Sequence, residues 1–162
     1  MDGKAQAEKG VNIGIGEYRM DSSLLTSIGL GSCVAVVIHD NRKNVGAVAH
    51  VMLPDSNGRN DRPGKFADTA VPTLYNLLID GGSNKRDLIA KIAGGSSMFK
   101  QFKGNLDIGQ RNVEAVKEAL TKVHVVLVAE DVGGTCGRSI IYNPSESATV
   151  HVRRADGTCT DI

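Results

Sequence analysis

The chain reads as an α/β or α+β layered domain, with mixed, largely antiparallel β-sheets packed against two main helices, and three observations predict it. A β-branched run at residues 34–38 and a second apolar run at 45–53 flank a polar turn, Asp40-Asn-Arg-Lys-Asn44, as in an antiparallel hairpin. Other short apolar runs, bounded by glycine, asparagine and proline, recur along the chain as strands do. Two longer segments repeat apolar residues at helical spacing instead. The total is roughly seven or eight strands and two helices in mixed order.

The elements follow in order. Residues 1–10 are polar, lack the apolar stretch of a secretory signal, and are expected to fray. Residues 11–18 alternate apolar with small or polar side chains, a half-buried strand. Residues 24–28 form another, which leads into the turn Gly29-Leu-Gly-Ser-Cys33 and then the hairpin. Folding the hairpin about Arg42 sets Cys33 opposite Val51, within a residue of His50. Residues 54–64 carry two prolines and two glycines and read as a surface loop, a lid or substrate rim beside His50.

Phe66, Ala70, Leu74, Leu77 and Leu78 lie at helical spacing, and Gly81-Gly82 ends that helix. Pro72 requires either a helix start near Val71 or a kink in a longer helix. Residues 88–93 form a strand ending in Gly94-Gly-Ser-Ser97. Asp107 to Arg111 start the second helix, and residues 112–123 carry Val113, Val116, Ala119, Leu120 and Val123 on one face. Strands at 124–129, 138–142 and 148–153 complete the chain, the last two joined by a turn at Asn143-Pro144-Ser145. There is no repeat and no internal boundary, so residues 11–162 read as one domain.

Composition excludes several functions. The formal charge of +1, the absence of tryptophan and the lack of any basic run argue against a nucleic-acid reader. Apolar stretches fall well short of the ~20 residues of a membrane helix. Three cysteines, at 33, 136 and 159, have no framework spacing, which points to a reducing, cytoplasmic setting without disulfides. The histidines at 39, 124 and 151 show no metal-ligand spacing, and no cofactor is implied.

What remains is a thiol beside a base. Cys33 follows two glycines and His50 lies on the facing strand, the pairing that nucleophilic catalysis requires. An imidazole that holds the thiol proton raises the reactive fraction and later protonates a leaving group. A third group orients such a histidine, and Ser27 and Thr26 are the nearest hydroxyls. Backbone amides around Gly29, Gly31 and Ser32 are candidates for contact with an oxyanion, with Gly95 and Ser96 as further substrate or oxyanion candidates. The pattern fits an acyl-transfer hydrolase. The plainer readings are a cysteine serving as a small core residue and a satisfied buried histidine. Gly29-x-Gly31 lacks the third glycine of a dinucleotide loop, and Gly94-Gly-Ser-Ser97 lacks the lysine of a phosphate loop. Cys136, within Gly133-Gly-Thr-Cys-Gly137, reads as a tight-turn residue.

Longer motifs carry a resemblance. Gly14-Ile-Gly-Glu-Tyr18, Gly29-Leu-Gly-Ser-Cys33-Val-Ala, Gly46-Ala-Val-Ala-His50-Val-Met-Leu-Pro54-Asp and Lys65-Phe-Ala-Asp-Thr-Ala70 look like the CheD family of chemoreceptor glutamine deamidases. The likeness continues through Lys91-Ile-Ala-Gly-Gly-Ser-Ser-Met-Phe99, Ile108-Gly-Gln-Arg-Asn-Val-Glu-Ala-Val116 and Ala129-Glu-Asp-Val-Gly-Gly134, so it spans nearly the whole chain. It implies a protein that hydrolyses glutamine side-chain amides on the cytoplasmic helices of chemotaxis receptors, giving glutamate and ammonia. It implies a fold similar to the deamidase domain of cytotoxic necrotizing factor. The family's Cys–His–Thr triad maps onto Cys33 and His50, with Ser27 at the threonine position, where it keeps the hydroxyl without the methyl. The implied partners are receptor helices, the phosphatase CheC and, through it, CheY. The loop at 54–64 and the turn at 94–99 are rim candidates for a helix carrying glutamine. Two rival classes are a non-catalytic module regulating CheC and a redox-sensing cysteine protein, the latter without a resolving cysteine nearby.

Overall fold

A computed structural model describes residues 10–97 and 107–162. The expected frayed tail at 1–10 lies, except for Gly10, outside the described residues, as do Met98 and Phe99 of the 94–99 turn. The strands are β1 (Val11–Asn12), β2 (Tyr18–Asp21), β3 (Leu25–Leu30), β4 (Val34–Asp40), β5 (Val45–Val51), β6 (Leu88–Gly94), β7 (Val126–Val132), β8 (Arg138–Tyr142), β9 (Val150–Arg154) and β10 (Cys159–Asp161). The α-helices are α1 (Ala67–Asp80) and α2 (Ile108–Lys122). Strands β1-β3-β8-β9-β10 form one sheet and β2-β5-β4-β6-β7 the other. Pairing is antiparallel except for β1 with β3, and for β6 with β7, which α2 connects as a crossover. The architecture is the α+β layering expected, with ten strands among the described residues.

The core lies in two layers. Val34, Val36 and Ile38 of β4, with Ala47, Ala49 and Val51 of β5, pack against α1 and α2. Ala35 and Val37, with Val48, face the other sheet and meet Leu25, Ile140 and Val152. Strand β4 is therefore covered on both faces, and every one of its residues is buried. That is why residues 34–38 are continuously apolar rather than alternating.

The hairpin register differs by one residue from a fold about Arg42. Asp40 pairs with Val45 and Val34 with Val51, so Ala35 is opposite His50 and Cys33 lies just beyond the last pair. The cause is the turn. The Asp40 carboxylate accepts from the Arg42 and Lys43 amides, while Asn44, at φ 53°, takes a left-handed conformation that asparagine tolerates. A slip of one flips a side chain to the other face. The observed register puts Cys33 and His50 on the same face, and the expected one would have separated them.

Other boundaries also depart from expectation. The strand expected at 11–18 is broken into β1 and β2 by a turn in which Glu17 accepts from the Gly14 amide and Gly16 has φ 77°. Of the two alternatives for α1 the earlier start holds, at Ala67 rather than near Val71, so Pro72 lies inside it and offers no N–H to the Asp68 carbonyl. The burial of Ala70, Val71, Leu74 and Leu78 offsets that loss. Strand β7 starts at Val126 because His124, at φ 59°, ends α2 in a left-handed turn. The C-terminal β10 was not expected; its pairing with β9 is what reveals it.

Tyr142 ties the two sheets together. It is fully buried, and its hydroxyl shares a hydrogen bond with the His39 Nδ1. Gly46, across from His39 in the ladder, leaves the space it occupies: a Cβ there would lie 1.9 Å from the Tyr142 oxygen. Gly46→Ala is expected to lower unfolding free energy by about 1–3 kcal/mol through overpacking. Urea denaturation checks this, and an unchanged midpoint would contradict the packing described.

Candidate active site

His50 is built into place by three backbone segments. Its amide donates to the Glu17 carbonyl at 3.1 Å, and its own carbonyl accepts from Gly16 at 2.9 Å. The turn between β1 and β2 is thus strapped to the His50 backbone, and it aims the Ile13 carbonyl at the ring. Ser27, on β3 of the opposite sheet, is fully buried and points inward. Its hydroxyl donates to the Ile13 carbonyl at 2.7 Å and lies 3.0 Å from His50 Nδ1, which is itself 3.2 Å from that carbonyl.

These three contacts fix the tautomer. A serine hydroxyl has one proton, and it is committed to the Ile13 carbonyl. Nδ1 therefore faces two acceptors and satisfies both only as an N–H donor. The lone pair is left on Nε2, which is buried and has no hydrogen-bond partner among the described residues. Thr26, the alternative hydroxyl, is half-buried and its side chain reaches the Asn12 side chain instead.

Cys33 is buried, with 9% of its surface exposed, on the inter-sheet face with Ala35 and Val48. Carried one step past its last pair, the β4–β5 register sets Cys33 on the same side of the hairpin as His50. Burial pushes its thiol above the ordinary 9.0. Burial likewise pushes His50 below the ordinary 6.5, against the opposing pull of the Ile13 carbonyl and the Glu17 charge. Both shifts favour a neutral thiol beside a neutral imidazole at rest. The ion pair expected from the sequence runs against both.

The remaining sequence candidates separate. The Gly95 amide donates to the Cys33 carbonyl at 2.8 Å and the Ser96 amide to the Gly31 carbonyl at 2.9 Å. Both amides are thereby occupied in holding the cysteine turn. A Cβ on Gly94 would lie 2.2 Å from the Cys33 carbonyl oxygen, so this end of β6 must be bare backbone. Gly29 sits in a β-bulge, with Ile28, opposite Ser139. It borders a surface hollow of about 300 Å³ shared with Gly137, Arg138 and Arg153. Gly31 and Ser32 stay with Cys33 in the turn itself.

Of the rim candidates, the 54–64 loop is pinned by Ser56, whose amide and hydroxyl both donate to the Asp68 carboxylate. Pro54 and Asp55 border a hollow of about 380 Å³ between α1 and α2 that includes neither Cys33 nor His50. Gly95 and Ser97 border another of about 310 Å³ with Asp107, Gln110 and Val113.

Residues that sequence reasoning missed do structural work around the site. Asp131, on β7, pairs with Arg138 at 2.8 Å and with Arg154, and Arg138 also donates to the Gly133 carbonyl at 2.8 Å. This buried network joins the sheets beside the 133–137 turn. The Ile13 carbonyl carries no side-chain signal at all. Asn112 did carry one, as a polar residue on the apolar face of α2, and it is fully buried.

Among the described residues no helix is long and apolar enough to cross a membrane. A family model described as CheD chemotactic sensory transduction matches residues 52–154. The chain is 52% identical over 147 residues to the chemoreceptor glutamine deamidase CheD of Thermotoga maritima, covering 90% of this chain and 92% of that protein. It is 45% identical over 122 residues to a probable chemoreceptor glutamine deamidase CheD of Methanococcus maripaludis, covering 75% and 79%. A probable counterpart from Clostridium botulinum is 43% identical over 139 residues, covering 82% and 86%. With matches of this extent at both the family and the whole-chain level, the chain belongs to the CheD family.

Proposed function

We propose that this protein deamidates glutamine side chains on the cytoplasmic helices of chemotaxis receptors, with Cys33 as nucleophile, His50 as base and Ser27 as the residue that orients His50. The observation that supports the reading most is the buried Nε2 of His50, unpartnered among the described residues, whose other nitrogen is held by Ser27 and the Ile13 carbonyl. A histidine serving only to fill the core would have both nitrogens satisfied.

The steps follow from a neutral pair. Cys33 Sγ attacks the carboxamide carbon as its proton passes to His50 Nε2, and the carbonyl π electrons move to oxygen. Amides of the Gly31–Ser32–Cys33 turn face that oxyanion. The tetrahedral species collapses, the C–N bond breaks, and the imidazolium gives its proton to the departing ammonia. A water then loses a proton to Nε2 and attacks the thioester. Breaking the C–S bond releases glutamate, and the sulfur recovers the proton. Ser27 and Ile13 hold the imidazolium through its Nδ1–H at both stages. The same face would take CheC in competition with receptor and so link the reaction to CheY. No specific observation favours a non-catalytic role.

Cys33→Ala is expected to abolish ammonia release from a receptor fragment, and mass spectrometry should lose the one-dalton gain that marks Gln becoming Glu. Undiminished conversion would refute the assignment. Ser27→Ala should lower kcat about tenfold or more with little change in KM, since the lost bond, about 1.4 kcal/mol, orients rather than binds.

The pH dependence has a definite sign. His50 must be neutral to accept a proton, and burial holds it neutral to below pH 6.5. Iodoacetamide alkylation of Cys33, in a Cys136→Ser/Cys159→Ser background, should therefore stay level through neutrality and fall only below pH 6.5. In His50→Ala the reaction should depend on the thiol's own ionisation, above pH 9.0. Identical profiles for the two proteins would remove His50 from the mechanism.

A further inference from the structure

The β4–β5 ladder stops at Val34 and Val51, and beyond that pair the two segments part. The amides of Met52 and Leu53 both donate to the Lys65 carbonyl, at 2.8 and 3.0 Å, rather than across to the cysteine turn. The gap is bridged by one side chain. Asn112 Nδ2 donates to the Ser32 carbonyl at 3.0 Å and to the Met52 carbonyl at 2.9 Å. One carbonyl precedes Cys33 directly, and the other lies two residues past His50.

Asn112 is fully buried, and its amide orientation is forced, because a flip would set Oδ1 against two acceptors. Oδ1 itself is buried with no hydrogen-bond partner among the described residues. An orphan acceptor of this kind is destabilising. A leucine would fill similar volume without it, so the gain from the amide lies in the bridge. Close packing brings Asn112 within reach: a Cβ on Gly109 would lie 2.4 Å from the Ser96 carbonyl oxygen, and one on Gly95 would lie 2.3 Å from Val113. Helix α2 thus presses on the turn whose Gly95 and Ser96 amides hold Cys33 and Gly31 from the other side.

We propose that Asn112 is a positioning residue, whose bridge from Ser32 to Met52 sets the separation of the segments carrying Cys33 and His50 and hence the reach of Sγ to Nε2. The inference rests on the Cys–His reading above. In the Cys136→Ser/Cys159→Ser background, Asn112→Leu and the near-isosteric Asn112→Asp are expected to slow alkylation of Cys33 at neutral pH about 10–100-fold, the cost of a misplacement near 1 Å. The acid limb set by His50 should disappear with it. Deamidation kcat should fall in parallel with KM unchanged, while circular dichroism and the cooperative melt persist.

A merely structural role predicts the opposite sign, since loosening exposes the thiol and speeds alkylation while the acid limb stays. Either that result or profiles superimposable on the parent would overturn the proposal, as would unfolding of both variants. If the parent and His50→Ala alkylate alike, the catalytic reading fails and takes the proposal with it. If they differ but the Asn112 variants keep the parent profile, only the positioning role fails.

Discussion

Pairing Val34 with Val51 assigns His50 to the face of its sheet that looks toward the second sheet, and the site's chemistry depends on that assignment. With Asn44 in a left-handed conformation, the hairpin gains one residue on the β5 side. Cys33, Ala35 and Val37 then share a face with Val48 and His50, opposite the face that α1 and α2 cover. Only on that face can the imidazole meet Ser27 and the Ile13 carbonyl, which belong to the other sheet and its approach. The turn between β4 and β5 thus sets the chemistry at the opposite end of the hairpin.

Burial has two opposed effects there. It disfavours charge on either member of the Cys33–His50 pair, so the resting state is uncharged. It also encloses Nε2, which has no hydrogen-bond partner among the described residues, and so leaves its lone pair available in the proposed step to a thiol proton. The Ile13 carbonyl and Glu17 pull the histidine back toward protonation, and so ease formation of the imidazolium when a proton arrives. In the proposed reaction proton transfer is concerted with attack, with no need for a standing thiolate. It suits a cysteine inside a closed β-layer better than one at an open surface.

Much of this was legible in the sequence because it rests on local pattern. The β-branched run of β4, the polar turn after it and the glycines around Cys33 locate the proposed nucleophile, and the motifs shared with CheD proteins identify the family. The register was not legible, because a single asparagine adopting positive φ is not encoded by hydrophobic periodicity. Nor was the role of Ile13, whose contribution is a backbone carbonyl, or that of Gly95 and Ser96, whose amides turned out to be spent on Cys33 and Gly31. The ion-pair network of Asp131, Arg138 and Arg154 joins residues far apart in the chain, and periodicity carries no information about such contacts. Helix α1 shows the reverse case: Pro72 left open a late start or a longer helix, and the apolar stripe through Ala70 and Leu74 carries the longer one past one missing hydrogen bond.

The proposed chemistry turns on which nitrogen of His50 carries the proton. Long-range ¹H–¹⁵N correlation spectra of the protein labelled in histidine, recorded at pH 8 and assigned through His50→Gln, read this directly. A ring protonated at Nδ1 and bare at Nε2 is the predicted result. A ring protonated at Nε2 would leave Cys33 without a base and contradict the mechanism.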